Sequence, residues 1–373
     1  MKFFLMFFSI FFSVVFSLHY YTIRRLSHIF EFQYSWKIFP VIILVIANVV
    51  AVIFISRYYW NSVTRIWLAA TESYLGVLWI MFWLLLGYSL IQGTAHFIHP
   101  IPPRVSQYFV VGAAVLLVGY GLWNARQIRI HRIEVASKKI LEPVTIVQLS
   151  DLHIGAINRE SFVEWVVAQT NALRPDLVVI TGDLFDIGAT KELVQGFNKL
   201  NAASFFIWGN HDQFLKAGEV ENMLGSTPIT MLKNETSLYH DSLQIIGLDY
   251  MEREPDYDVK PILTSLAPDE RYFTMLLSHA PIDFSELEGY AIDLELAGHT
   301  HSGQIFPFHF LVKTRYKLLR GLYKSGNQSI YVSSGTGTWG PPMRLGTSSE
   351  IAVFYLSPLP ADRQEDLIVR KME

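Results

Sequence analysis

The stretch Thr145-Ile-Val-Gln-Leu-Ser-Asp-Leu-His153 decides the fold. A short, mostly apolar run, Thr145–Leu149, passes directly into Ser150, Asp151 and His153. An apolar run of this length, bounded by polar residues, reads as a buried strand. The same arrangement recurs four times. Leu177–Ile180 runs into Thr181-Gly-Asp183, and Phe205–Trp208 into Gly209-Asn-His-Asp212. Phe273–Leu277 runs into Ser278-His279, and Leu294–Ala297 into Gly298-His-Thr-His301. Helical patterns separate the first three strands, over Arg159–Leu173, with Pro175 behind it, and over Thr190–Leu200. Further strands are expected at Leu243–Leu248, Ser329–Val332 and Ile351–Leu356. The β-α-β-α-β start predicts an α/β domain. Polar residues at the carboxyl ends of its strands are where such sheets build sites.

Those strand ends collect Asp151, His153, Asp183, Asn210, His211, His279, His299 and His301. Of the seven histidines from position 153 onward, five lie in these clusters, a concentration that random placement would not give. Carboxylate, imidazole and amide oxygen together suit divalent first-row metals such as manganese, iron or zinc. A carboxylate can bridge two ions, and two ions about 3.5–4 Å apart can clamp an in-line displacement at phosphorus. Taken singly, His153 or His279 also reads as a satisfied core histidine, and Asp212 as a helix cap. Asp186, close to Asp183, reads as a loop or cap residue, with a supporting place behind the metal ligands as the alternative. His240 and His309 fall outside every cluster and read as surface or packing residues. Asn234-Glu-Thr and Asn327-Gln-Ser match the glycosylation pattern, which has meaning only in a secretory setting.

Upstream of Thr145 the composition changes. Residues 1–123 hold seven basic and two acidic residues, leaving 23 and 31 of the chain's 30 and 33 for the remainder. The polar remainder therefore sums to −8, which argues against a nucleic-acid binder. The 51% hydrophobic composition comes from the first third and excludes a wholly soluble enzyme as well as a disordered or fibrous chain. The absence of cysteine excludes disulfides, Cys-ligated zinc and a cysteine nucleophile.

Four uncharged apolar stretches are long enough, at about 20 residues, to cross a bilayer: Phe3–Ile23, Ile38–Ser56, Ser73–Ile91 and Val105–Trp123. Six of the nine tryptophans lie in this third, several near span ends. The first stretch could be a signal peptide, but no small-residue cleavage site follows and three more spans do. No span carries Asp, Glu, Lys or Arg, which argues against a transporter. His96 and His99, beside Pro100, read as loop histidines rather than a metal pair. The resulting division is a transmembrane domain at 1–123, a basic linker at 124–142 and a catalytic domain at 143–373.

With both termini inside, the inner flanks carry Lys2, Arg57, Arg65, Arg126, Arg129, Arg132, Lys138 and Lys139. The outer flanks carry Arg24, Arg25, Lys37 and Arg104. The positive-inside rule therefore places the polar domain in the cytoplasm, below an inner cell membrane.

The ordered blocks Asp-x-His, Gly-Asp, Gly-Asn-His-Asp, Ser-His and Gly-His-Thr-His resemble the calcineurin-like metallophosphoesterase superfamily. The stretch Val332-Ser-Ser-Gly-Thr-Gly-Thr-Trp339, with Arg344 and Glu350, is similar to its branch of bacterial membrane or exported enzymes related to YkuE. The resemblance spans about Pro143 to Leu356. It implies a two-sheet αββα sandwich and a metal-dependent phosphoric ester hydrolase with two divalent ions. One ion would take Asp151, His153, Asp183 and His301. The other would take Asp183, Asn210, His279 and His299, with Asp183 bridging. His211 would bind no metal and would face the phosphoryl oxygen or the leaving group, and Asp212 would hydrogen-bond His211. A bridging hydroxide would attack phosphorus in a monoester, diester or pyrophosphate.

Beyond His301, aromatic and apolar residues at 305–312 precede Lys313, Arg315, Lys317, Arg320 and Lys324. This suits contact with anionic membrane lipids, although an ordinary strand and a solvated helix face would give the same pattern. The preferred substrate is a lipid-linked phosphate. The alternatives are a membrane-tethered phosphodiesterase or phosphatase of a soluble substrate, and a non-catalytic membrane sensor on the same fold.

Overall fold

The computed structural model describes residues 2–97, 101–250 and 258–372. His99 therefore lies outside the described residues. The chain divides into two compact units, residues 1–124 with 340–345, and residues 125–339 with 346–373.

The first unit is helical: α1 (Lys2–Ile29), α2 (Ile38–Tyr58), α3 (Ser62–His96) and α4 (Pro103–Ala125). Among the described residues α2, α3 and α4 are long and apolar enough to cross a membrane. The first expected span, Phe3–Ile23, lies within α1, where the side chains of residues 3–9 and 11 are outside the description. Asn61 starts α3 with a capping box: its side chain accepts from Val63 N and Thr64 N, and Thr64 Oγ1 accepts from Asn61 N. Polar pairs join the helices. Tyr74 Oη lies 2.6 Å from His19 Nε2, Tyr21 Oη 3.0 Å from Ser89 Oγ, and Arg25 Nη2 donates to Gln92 Oε1 at 2.9 Å. Residues 340–345 pack into this unit, where Arg344 N donates to Gly121 O (2.9 Å) and Asn124 Nδ2 to Arg344 O (3.0 Å).

The second unit is α/β. In chain order it holds β1 (Ile128–Ser137), β2 (Val144–Leu149), α5 (Glu160–Ala172), β3 (Leu177–Thr181), α6 (Lys191–Val194), β4 (Ala203–Ile207), α7 (Ala217–Leu224), β5 (Ile229–Met231), β6 (Glu235–Tyr239) and β7 (Leu243–Gly247). Then follow α8 (Val259–Leu266), β8 (Phe273–Leu277), α9 (Phe284–Leu287), β9 (Leu294–Ala297), α10 (His309–Arg315), β10 (Gly321–Ser325), β11 (Gln328–Val332), β12 (Ser349–Pro358) and β13 (Leu367–Lys371). One sheet runs β13-β1-β12-β2-β3-β4-β5 and the other β10-β11-β9-β8-β7-β6.

Side-chain alternation builds the layers. Ile146, Leu177, Val179, Leu277 and Leu296 share the core between the sheets. Their neighbours Val147, Val178 and Ile180 pack on the opposite face with Val163, Val166 and Phe197. The second sheet does the same with Leu263 of α8 and Leu287 of α9. The result is the expected αββα sandwich, its central strands buried on both faces and so largely apolar.

One segment differs from the sequence reading. Ile128–Ser137, assigned above to the basic linker, is a ten-residue strand paired with β12 in parallel and β13 in antiparallel. Ile133 and Val135 enter the core between the sheets, and Ile128 and Ile130 pack on the opposite face. Arg129 and Arg132 stay exposed among them, so the charges that suggested a linker interrupt an apolar alternation on both faces.

Candidate metal centre

Five strand ends from both sheets, those of β2, β3, β4, β8 and β9, deliver their polar residues to one place. Asp151 and Asp183 are almost fully buried, as are His153, His279 and His301. The local backbone is unusual: Asp151, His153, Asp183, His299 and His301 all have φ between 46° and 69°. Such left-handed conformations cost on the order of 1–3 kcal/mol each in a non-glycine residue and persist where the surroundings over-determine them. Glycine permits the close approaches. A Cβ on Gly209 would strike the Asp183 carboxylate, and one on Gly298 would strike Ser150 and Asp151.

Two groups of potential ligands, Asp151–His153–His301 and Asp183–His279–His299, form the centre, and a third, His153–Asp186–His211, adjoins them through His153. His301 Nε2 lies 3.3 Å from Asp151 Oδ1 and 3.1 Å from His153 Nε2. Asp183 Oδ2 lies 3.2 Å from His279 Nε2 and 3.7 Å from His153 Nε2, so it faces both groups. Asn210 Oδ1 and His299 Nδ1 are 3.0 and 3.1 Å from His279 Nε2. All seven residues expected to hold metal are thus brought together.

The donor chemistry fits cations. His279 Nδ1 must carry a hydrogen, because it donates to the Thr181 carbonyl at 2.9 Å. Its Nε2 lone pair then faces a carboxylate oxygen, an amide oxygen and another ring nitrogen, an array of acceptors with no donor. Without an ion a proton takes that position. Burial alone would lower the His279 pKa, but Asp183 and Asp151 carry it up to about 10. Asp183 itself is held well below the usual carboxylate range, because His279 and its neighbours outweigh the cost of burial.

His211 stands beside the cluster, its backbone N–H donating to Asp183 Oδ1 at 2.7 Å. Its ring is flanked by Phe214 and Trp339, with centroids 4.9 and 6.1 Å away. The expected Asp212–His211 pairing is corrected by the structure. The Asp212 oxygens are taken up by three backbone donors, Asp183 N and Gly209 N on Oδ2 and Phe185 N on Oδ1, at 2.7–2.8 Å. Asp212 therefore ties the loop after β3 to the loop after β4. The carboxylate at His211 is Asp186, whose Oδ2 lies 3.4 Å from His211 Nδ1 and 3.2 Å from His153 Nδ1. Burial would lower the His211 pKa, but the charges of Asp183 and Asp186 raise it to about 9. The sequence signal for Asp186 was its place three residues after Asp183 in Gly-Asp-Leu-Phe-Asp. Tyr316 was not foreseen at all, and its Oη lies 2.8 Å from His299 Nε2.

The histidines set aside stay apart from the cluster. His240 stacks on Tyr239, and His309 packs with Phe306 and Phe310. Among the described residues His96 joins no ligand group.

Comparison with known proteins agrees with this geometry. The calcineurin-like phosphoesterase family profile matches residues 144–303. An uncharacterized metallophosphoesterase of Campylobacter jejuni is 30% identical over 351 residues, covering 89% of this chain and 93% of its own. The metallophosphoesterase YkuE of Bacillus subtilis is 32% identical, over 66% of this chain and 93% of its own. A transmembrane protein with metallophosphoesterase domain of Danio rerio is 33% identical, over 65% of this chain and 60% of its own. The chain is a metal-dependent phosphoester hydrolase with membrane-linked relatives, and it belongs to the calcineurin-like metallophosphoesterase family.

Proposed function

We propose that the protein is a membrane-bound phosphoesterase that holds two divalent ions, of manganese, iron or zinc, and hydrolyses a lipid-linked phosphate or pyrophosphate. The observation that carries the reading is Asp183 Oδ2 facing both ligand groups at once. Asp151, His153, Asp183 and His301 hold one ion, and Asp183, Asn210, His279 and His299 the other. Ions held there would supply Lewis acidity and offset the negative charge of a phosphoryl group. The chain's own residues do the rest. Asp183 fixes the spacing of the two halves. Asp212 locks the two loops that carry Asp183 and Asn210. His211, protonated and turned by Nδ1 toward Asp186, gives a proton to the leaving oxygen as the bond from phosphorus to that oxygen breaks. Water supplies the oxygen of the new bond to phosphorus, and no serine or cysteine nucleophile takes part.

The chain's layout in this reading is four membrane spans in residues 1–123 and a catalytic domain over 143–373, with β1 joining its sheet. The Lys/Arg bias of the flanks favours a cytoplasmic catalytic domain on an inner membrane. The test uses purified full-length protein. Elemental analysis should give close to two transition-metal ions per chain, and the protein should release phosphate from a lipid-linked phosphate in mixed micelles. Turnover of a soluble chromogenic phosphodiester alone would move the reading to a tethered phosphodiesterase. Metal binding without any turnover would leave a sensor.

A further inference from the structure

Helix α10, seven residues long, buries none of them. A helix this short does not sustain itself in water, and such helices ordinarily persist by packing an apolar face. Here Phe310 and Leu311 are 63% and 60% exposed, and Phe306, one turn earlier, is 50% exposed. The approach to α10 is firmly anchored. The Gln304 side chain donates to Trp339 O at 2.8 Å and accepts from Trp339 N at 2.9 Å, and Thr347 Oγ1 donates to Gln304 O at 2.8 Å. Trp339, fixed beside this turn, is itself 46% exposed. Single exposed apolar residues are ordinary, whereas a group of them around one element marks a contact surface.

The charge pattern identifies the contact. From Ile305 to Lys324 there are five Lys or Arg and no Asp or Glu. Lys313 and Arg315 sit on α10 itself, and both are exposed. Lys317 is engaged by Asp283 at 2.7 Å. Aromatic side chains level with cations, on a chain with membrane-length helices, match the headgroup region of an anionic bilayer better than a protein surface.

We propose that α10, with Phe306, Phe310, Leu311 and Trp339, is an interfacial docking surface for anionic phospholipid. The apolar side chains enter at headgroup depth while Lys313 and Arg315 contact lipid phosphates. Tyr316, directly after α10, reaches His299 of the metal centre, so the docked element and the ligand set are joined through one side chain. The proposal does not depend on the substrate being lipid-linked, since a soluble phosphoester would meet the same surface.

The absence of cysteine makes a direct test available. Full-length Leu311→Cys, carrying a single nitrobenzoxadiazole label, is placed in phosphatidylcholine nanodiscs with and without phosphatidylglycerol. Leu238→Cys, at an exposed apolar position on β6, is the control. With phosphatidylglycerol the label at 311 should shift to the blue and be quenched by shallow doxyl lipids, and the label at 238 should not. Adding Lys313→Gln and Arg315→Gln should lower the docked-to-undocked ratio roughly thirty-fold. Equal quenching at 311 and 238 overturns the proposal. A blue shift without doxyl quenching also overturns it and points to a second copy or another protein as the occupant. Hydrolysis of a lipid-linked phosphate and of a soluble phosphodiester by the same labelled protein separates the two readings: absence of both activities with docking intact would sink the catalytic reading and leave this surface standing.

Discussion

Asp151, Asp183 and His279 are at most 3% exposed, and each is held by two or more polar partners. A few residues beyond His301, Phe310 and Leu311 stand more than half exposed on a helix that buries nothing. Tyr316, directly after that helix, links the two regions through His299. In the first, backbone conformation, carboxylate acceptors and glycine contacts leave each side chain one position. In the second, no described residue of the catalytic unit buries the apolar side chains. The first therefore carries chemistry that is indifferent to what surrounds the phosphorus. The second is where the surroundings can select.

The comparison breaks most severely at Asp183. Asp183→Asn should remove a charge that both ligand groups face. Elemental analysis should show loss of both ions, and activity should fall by about a thousand-fold or more, several kcal/mol of barrier. Retained full activity would mean that the two groups act independently.

His211→Ala should keep both ions and lower kcat by roughly 10²–10⁴-fold, the range of a lost general acid. Asp186→Asn should act through His211, with a smaller loss and a displaced pH profile. His211 must be protonated to act, so activity declines as pH rises through its pKa, raised to about 9 partly by Asp186. Without that anion the alkaline limb should move to lower pH. An unmoved limb would show that Asp186 serves only His153.

Glu295 tests the support beneath the centre. It lies in β9, fully buried, with Oε1 accepting from Ser278 Oγ (2.6 Å) and Ile282 N (2.9 Å), which positions the loop that carries His279. Burial pushes its pKa up to about 8. A carboxyl raised in the folded state favours folding while protonated, so that contribution is complete below the ordinary glutamate range and is lost as pH rises toward and through 8. Glu295→Gln should abolish this dependence, gaining a few kcal/mol over the parent on the alkaline side and little at pH 5. Parallel melting curves for the two proteins across pH would contradict it.

The smallest effect belongs to the open region. Phe310→Ser and Leu311→Ser should change thermal stability by no more than about 0.5 kcal/mol, because they remove no buried contact. A loss of several degrees would mean that α10 packs against something in the folded chain.

The same contrast governs what could be read in advance. β2, β3, β4, β8 and β9 are apolar because both faces are covered, so their runs and the ligands that follow were legible. β1 was not, because Ile128-Arg-Ile-His-Arg-Ile presents its charges more loudly than its alternation. The edge strands β6 and β10 leave most side chains partly or wholly exposed and offer no apolar run. Which residues gather at the centre followed from residue type and order at the strand ends. The partner of His211 did not, because Asp186 and Asp212 differ only in which loop oxygen meets which N–H, and that depends on how β3 and β4 pair.

The left-handed backbone at five of the proposed ligand positions would turn bound ions into fasteners. A loop that spends energy to hold its shape keeps that shape only while something rewards it, and in the proposed reading the reward would arrive from outside the polypeptide. Stripping the metal should therefore loosen the protein from its strand ends outward. Amide hydrogens at 151–153, 183–186 and 299–304 should begin to exchange, while those of β2, β3 and β9 stay protected by their ladders. The empty enzyme would be a folded sandwich with slack loops, and filling the site would be the last act of its assembly.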